Sequence, residues 1–157
     1  ASTATVARIL ATSGEEGRFA VYPQIWQQLL ERPLLGHGLG AFEDVFRAAV
    51  PVEAAFGAWD KAHNSYLENM LELGLPAAAA FYMALALIGW RLLQGLLHRR
   101  RDRAPVAVAF ACLTLAGFHA FFDFSLQMPG LAGFFAWLIG IGYVQSFSSG
   151  QREGDTT

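Results

Sequence analysis

Within the stretch KAHNSYLENMLELGLP, Lys61, His63 and Asn64 stand just ahead of a long apolar run. An imidazole exchanges a proton near neutral pH, so His63 suits general acid–base work. Alone it reads equally as an interfacial histidine satisfied by a backbone carbonyl. Arg18 follows SGEEG. It is either a solvated surface arginine or an anion clamp, since a guanidinium matches phosphate oxygens in a planar fork. His119 and Asp123 are four residues apart, a spacing that suits a structural histidine–carboxylate pair on one helix face. Together with His63 they would also make a permissive metal-ligand set. Cys112 is the single cysteine and lies in an apolar run, so it reads as inert packing with no intramolecular disulfide.

Read as a helix, the stretch from His63 to Gly74 puts Asn64, Glu68 and Glu72 on one side. His63, Leu67, Met70 and Gly74 fall on the other, so the histidine is expected to face protein or lipid headgroups. Gly74 has two readings. It admits close approach by a neighbouring helix or lipid tail, or it ends this helix so that Pro76 opens the next in its first turn.

These residues must be held by a mostly apolar chain. Of 157 residues, 54% are hydrophobic and 15% charged, with a mean hydropathy of +0.34. A soluble domain carries roughly a quarter charged residues. The net charge of −2 gives no sign of a nucleic-acid partner. The apolar surplus collects after Leu73 and predicts three spans, at about residues 75–97, 104–122 and 129–147. Backbone facing lipid must be helical. The expected fold is therefore an all-α integral membrane one, a segment of short amphipathic helices followed by three transmembrane helices, part of a larger multi-span bundle. HRRRDR, with four arginines in six residues, lies between the first two spans and marks the cytoplasmic side. Residues 1–72 then form a periplasmic region, 73–147 the spans, and 148–157 a disordered cytoplasmic tail.

In the periplasmic region, Ile25, Trp26, Leu29 and Leu30 predict one face of a short helix over 23–31, ended by Arg32-Pro33. AFEDVFRAAV predicts a second amphipathic helix. GHGLG lacks the GxGxxG spacing and follows no strand, so it reads as a sharp turn bringing backbone close to something. The polar start has no signal-peptide pattern, and the chain is expected to be the C-terminal part of a longer membrane protein.

An arginine, a tryptophan helix and RPLLGHGLGAF, then AHNSYLENMLELGLP, then HAFFDFSLQMPGLAGFF resemble the C-terminal half of the O-antigen ligase and polymerase superfamily over roughly residues 18–142. The family's His-Asn/Ser-x9-Gly pattern maps onto His63, Asn64 and Gly74. Pro76 and Ala77 depart from it, where the family often has a second small residue.

The resemblance implies an inverting, metal-independent glycosyl transfer at the periplasmic face of the bacterial inner membrane, with no cofactor. The donor would be a glycan on undecaprenyl diphosphate. The acceptor would be a hydroxyl on lipid A-core, on another lipid-linked glycan or on a protein, with membrane lipids around the site. His63 resembles the general base on that hydroxyl and Arg18 the diphosphate-binding arginine. Asn64, Lys61 and Arg32 are further substrate-binding candidates, with His119 and Asp123 as supporting residues. Two other readings stand beside it: a non-catalytic membrane component of polysaccharide export, and a metal-dependent membrane hydrolase using His63, His119 and Asp123.

Overall fold

The computed structural model describes residues 15–49, 61–99 and 102–147, with side chains from residue 22 onward. The tail at 148–157 lies outside the described residues. The regular elements among the described residues are all helices, with no strand: α1 (Glu15–Glu31), α2 (Phe42–Ala49), α3 (Ser65–Leu73), α4 (Leu75–His98), α5 (Ala104–His119) and α6 (Pro129–Gln145), with a short 3-10 turn at Ser125–Gln127. The described residues fall into two compact units, one of residues 15–49, 61–81 and 120–124, the other of 82–99, 102–119 and 125–147.

In the first unit, Ile25, Leu29, Phe42, Phe46, Ala62 and Leu71 form a buried core drawn from α1, α2, α3 and the loop before α3. The Phe42 and Phe46 rings stack at 5.6 Å. The helix expected over 23–31 begins at Glu15 instead and runs through Pro23. A proline in a helix interior removes one hydrogen bond and costs about 3 kcal/mol. Packing offsets that, because Tyr22 joins the core on the N-terminal side of the proline, as Ile25 and Leu29 do beyond it. Of the four residues expected on one apolar face, only Ile25 and Leu29 are buried, while Trp26 and Leu30 are exposed.

GHGLG is the turn its glycines require. Gly36, Gly38 and Gly40 all have positive φ. A Cβ on Gly36 would lie 2.5 Å from the Gly74 nitrogen, and one on Gly74 would lie 2.8 Å from the Gly36 nitrogen. Neither glycine can gain a side chain without moving backbone. The loop then caps α3, as His37 N–H donates to Leu71 O and Gly38 N–H to Glu72 O. These are carbonyls that a helix end leaves without intrahelical partners. The His37 ring meets Gln28 O on α1 at 2.9 Å. Of the two readings of Gly74, the helix end holds, and the close approach is corrected from a helix or lipid tail to a loop. It ends α3 at φ 78°, and what approaches it is the backbone of this loop.

The second unit has its own core of Leu92, Val106, Ala109 and Ile139. Small residues let its helices close up, and a Cβ on Gly142 would strike Ala109. Arg91 donates to Ser146 O and Arg99 to Phe147 O, each at 2.9 Å. Two basic residues therefore cap carbonyls at the C-terminal end of α6 and complement its dipole.

Of the described helices, α4 is long and apolar enough to cross a membrane, with 24 residues; α5 and α6 are apolar but shorter, with 16 and 17. Phe81, Met83, Leu87, Trp90 and Leu97 on α4 are exposed. The second expected span stops three residues early. After His119 the chain turns, and Ala120 O accepts the Ser65 N–H at 2.9 Å. Backbone spent on that contact cannot continue the helix.

Candidate active site

The loop 61–64, the first turn of α3 and the turn 120–124 meet within the first unit. Asn64 is the N-cap of α3, and its side-chain oxygen accepts the Leu67 N–H at 3.1 Å. Ser65 fastens the later turn, with its N–H to Ala120 O and its hydroxyl donating to Asp123 O.

His63 lies just before the Asn64 N-cap, two residues ahead of α3, with φ 50°. A non-glycine residue in that region is uncommon and is held by its surroundings. The expectation that His63 sits on a helix face is therefore corrected, because Asn64 takes the extended conformation that starts α3. The His63 Nδ1 lies 3.9 Å from Asp123 Oδ1, longer than a hydrogen bond and within charge contact. Its ring packs edge-on against Phe124 at 5.1 Å. A quarter of the side chain remains exposed. Asp123 is oriented by accepting the Phe124 N–H at 2.8 Å.

The polar side of α3 is its buried side, which reverses the expectation drawn from amphipathic spacing. Glu68 is 1% exposed and Glu72 7%. Glu68 accepts the Ala62 N–H at 2.9 Å, and Lys61 reaches its other oxygen at 3.4 Å. Glu72 accepts the Phe42 N–H at 3.2 Å. That donor belongs to the first turn of α2, whose preceding residue, Ala41, has no side-chain oxygen to cap it. Each carboxylate thus ties a separate loop to α3. Both were absent from the candidates read in the sequence. The signal was an acid in the first turn of a capped helix and an alanine where α2 needed a cap.

Lys61, His63, Asn64 and Asp123 are therefore brought together. Lys61 is engaged with Glu68, and Asn64 caps a helix. Arg32 is exposed just past α1, and the adjacent Pro33 O accepts from Leu75 N–H beyond the far end of α3. The nine residues of α3 place that end about 13 Å of helix rise from His63. Arg18 lies in α1, and its side chain is outside the described residues. His119 ends α5 and meets the Ser125 hydroxyl at 3.3 Å. Since α5 stops there, the four-residue spacing to Asp123 is not a helical one. Among the described residues, no three His, Cys, Asp or Glu side chains group to hold a metal ion. The hydrolase reading has no ligand set there.

The described residues thus give an all-helical chain with one helix of membrane-crossing length and a histidine beside a carboxylate just ahead of a helix start. A family model for O-antigen ligase matches residues 3–82, just over half of the chain, and the chain belongs to that family. The matched segment contains Arg18, Arg32, Lys61, His63, Asn64 and Gly74. No curated protein and no solved structure matches. Membership supports a glycan-transferring membrane enzyme of the O-antigen ligase or polymerase type, acting on lipid-linked glycans.

Proposed function

We propose that the chain moves a glycan from an undecaprenyl-diphosphate donor to an acceptor hydroxyl at the periplasmic face of the inner membrane. The observation that carries this reading is His63, fixed in a left-handed conformation with Nδ1 toward Asp123, inside the family segment. With Nδ1 turned toward Asp123, Nε2 is the nitrogen we assign to the acceptor proton. As Nε2 takes that proton, the acceptor oxygen attacks the anomeric carbon. The bond from that carbon to the diphosphate oxygen breaks, and the diphosphate leaves with the electron pair. Configuration inverts, and Asp123 stabilises the imidazolium that forms. Charge grows on the diphosphate, where a cation is worth most. Arg18 is assigned there. The acceptor is a hydroxyl of lipid A-core, of a second lipid-linked glycan, or of a protein.

The full chain in proteoliposomes is expected to transfer glycan from a lipid-linked donor, and no transfer to any of these acceptors would sink the reading. Sidedness is checked with cysteines in a Cys112→Ser background. Ser65 is 7% exposed and hydrogen-bonded, so the outer probe belongs at Leu39, 83% exposed. Leu39→Cys should react with an impermeant reagent in intact cells and Ser148→Cys only after permeabilisation. The reverse pattern would put the site in the wrong compartment.

Arg18→Lys keeps the charge but not the planar fork and should recover little of the activity lost in Arg18→Ala. A charge-assisted contact is worth about 1.5–3 kcal/mol, or roughly 10–150-fold in transfer. Full activity in Arg18→Ala would make Arg18 a surface residue.

A further inference from the structure

An open groove of about 680 Å³ runs between α1 and the first turns of α3. Its walls include Tyr22, Trp26 and Gln27 from α1, Asn64 and Tyr66 beside Ser65, and Phe121 from the turn after α5. No lining residue is charged. Trp26 is 48% exposed although the core of its own helix is buried, so this indole is presented rather than packed. Tyr66 lies against Phe121 at 4.4 Å, which stiffens the opposite wall. Burial pushes the Tyr66 phenol above its usual range, keeping it neutral.

We propose that this groove is the subsite for a pyranose ring of the transferred glycan, with the Trp26 indole as its stacking face. The inference rests on the proposed function and deepens it by naming where the neutral part of the substrate sits. A sugar ring offers C–H faces to an aromatic surface and hydroxyls around its rim. Carboxamides and phenols match that rim because each both donates and accepts. The diphosphate is a poor fit, since a dianion calls for cations and none lines the groove. A polyprenyl chain would suit Pro23, Leu67 and Met70 in the lining but would cover the Gln27 carboxamide without hydrogen-bonding it, which is costly. The groove also leads to the chemistry, because Asn64 directly follows His63. A ring stacked on Trp26 is thereby delivered toward the imidazole assigned to the acceptor proton.

The test uses the full chain in nanodiscs and two separate probes: the water-soluble oligosaccharide cleaved from the donor, and undecaprenyl phosphate. Trp26→Ala should weaken oligosaccharide binding about tenfold and raise KM similarly, with kcat within about threefold. Trp26→Phe should restore most of the loss, and undecaprenyl phosphate affinity should not change in either variant. Thermal unfolding should match wild type, since the side chain is half exposed. Unchanged oligosaccharide affinity in Trp26→Ala would overturn the proposal. So would a loss confined to undecaprenyl phosphate, which would make the groove a lipid-tail site. Oligosaccharide binding is read without turnover. A wild-type chain that binds the sugar through Trp26 yet transfers nothing would therefore fail the transferase reading and leave the subsite standing.

Discussion

His63→Ala in the full chain is expected to lower glycan transfer by about 10²-fold or more, the usual scale for a general base. Folding and insertion should survive. His63 lies outside α3, is a quarter exposed, and makes no part of the buried core of its unit. Removing it relieves rather than creates backbone strain only if another residue type tolerates the positive φ, so His63→Asn is the informative companion. Asparagine accepts the left-handed region more readily than alanine does, and it supplies no base in this pH range. Both variants should therefore lose turnover, with His63→Asn the more stable of the two. Donor binding should change little, because the assigned proton belongs to the acceptor. The measurement is transfer per folded, membrane-inserted molecule, with donor affinity alongside. Wild-type specific activity in His63→Asn would remove His63 as the base and leave it a structural role at the start of α3.

Much of this site could be read from one stretch of sequence, and the reasons are local. Asn64 ahead of a helical pattern is an N-cap signal, and Gly74 followed by Pro76 is a stop and a start. The GHGLG turn was equally legible, since repeated glycines have few other uses. What it turns against was not, because the Gly36–Gly74 approach joins segments 38 residues apart. The place of Asp123 beside His63 was hidden for the same kind of reason. Four-residue spacing pairs it with His119 only while α5 continues, and α5 ends at His119. Nothing local announces that Ser65 will take Ala120 O and Asp123 O and draw the later turn onto α3. Glu68 and Glu72 mislead in the opposite sense. Glutamates are almost never fully buried unless partnered, and the partners here are the Ala62 N–H and Lys61 ammonium of the loop before α3 and the Phe42 N–H at the start of α2, which spacing along one helix cannot reveal.

Glu68→Ala is expected to cost about 3 kcal/mol of stability and to reduce turnover in the fraction that folds. The carboxylate is 1% exposed, and its removal leaves the Ala62 N–H buried without its acceptor, a loss of about 1–3 kcal/mol. Lys61 adds less than the 3–5 kcal/mol of a fully buried broken pair, because its side chain is 31% exposed and can rehydrate. The functional consequence runs through the backbone. Ala62 is anchored by Glu68 on one side of His63, and Ser65 is anchored by Ala120 and Asp123 on the other. Between these anchors lie His63, in its left-handed conformation, and Asn64, whose side chain caps α3. Releasing the first anchor lets the imidazole leave Asp123 while the second still holds the turn. Glu68 is thus a positioning residue. Glu68→Gln keeps an oxygen for Ala62 and loses only the charge toward Lys61, so it should recover most of the stability and most of kcat. The two variants separate placement from mere folding: after correction for folded protein, Glu68→Ala should lower kcat with KM nearly constant, and Glu68→Gln should not. Equal kcat per folded molecule in wild type and Glu68→Ala would confine Glu68 to stability and leave His63 to be held by other contacts.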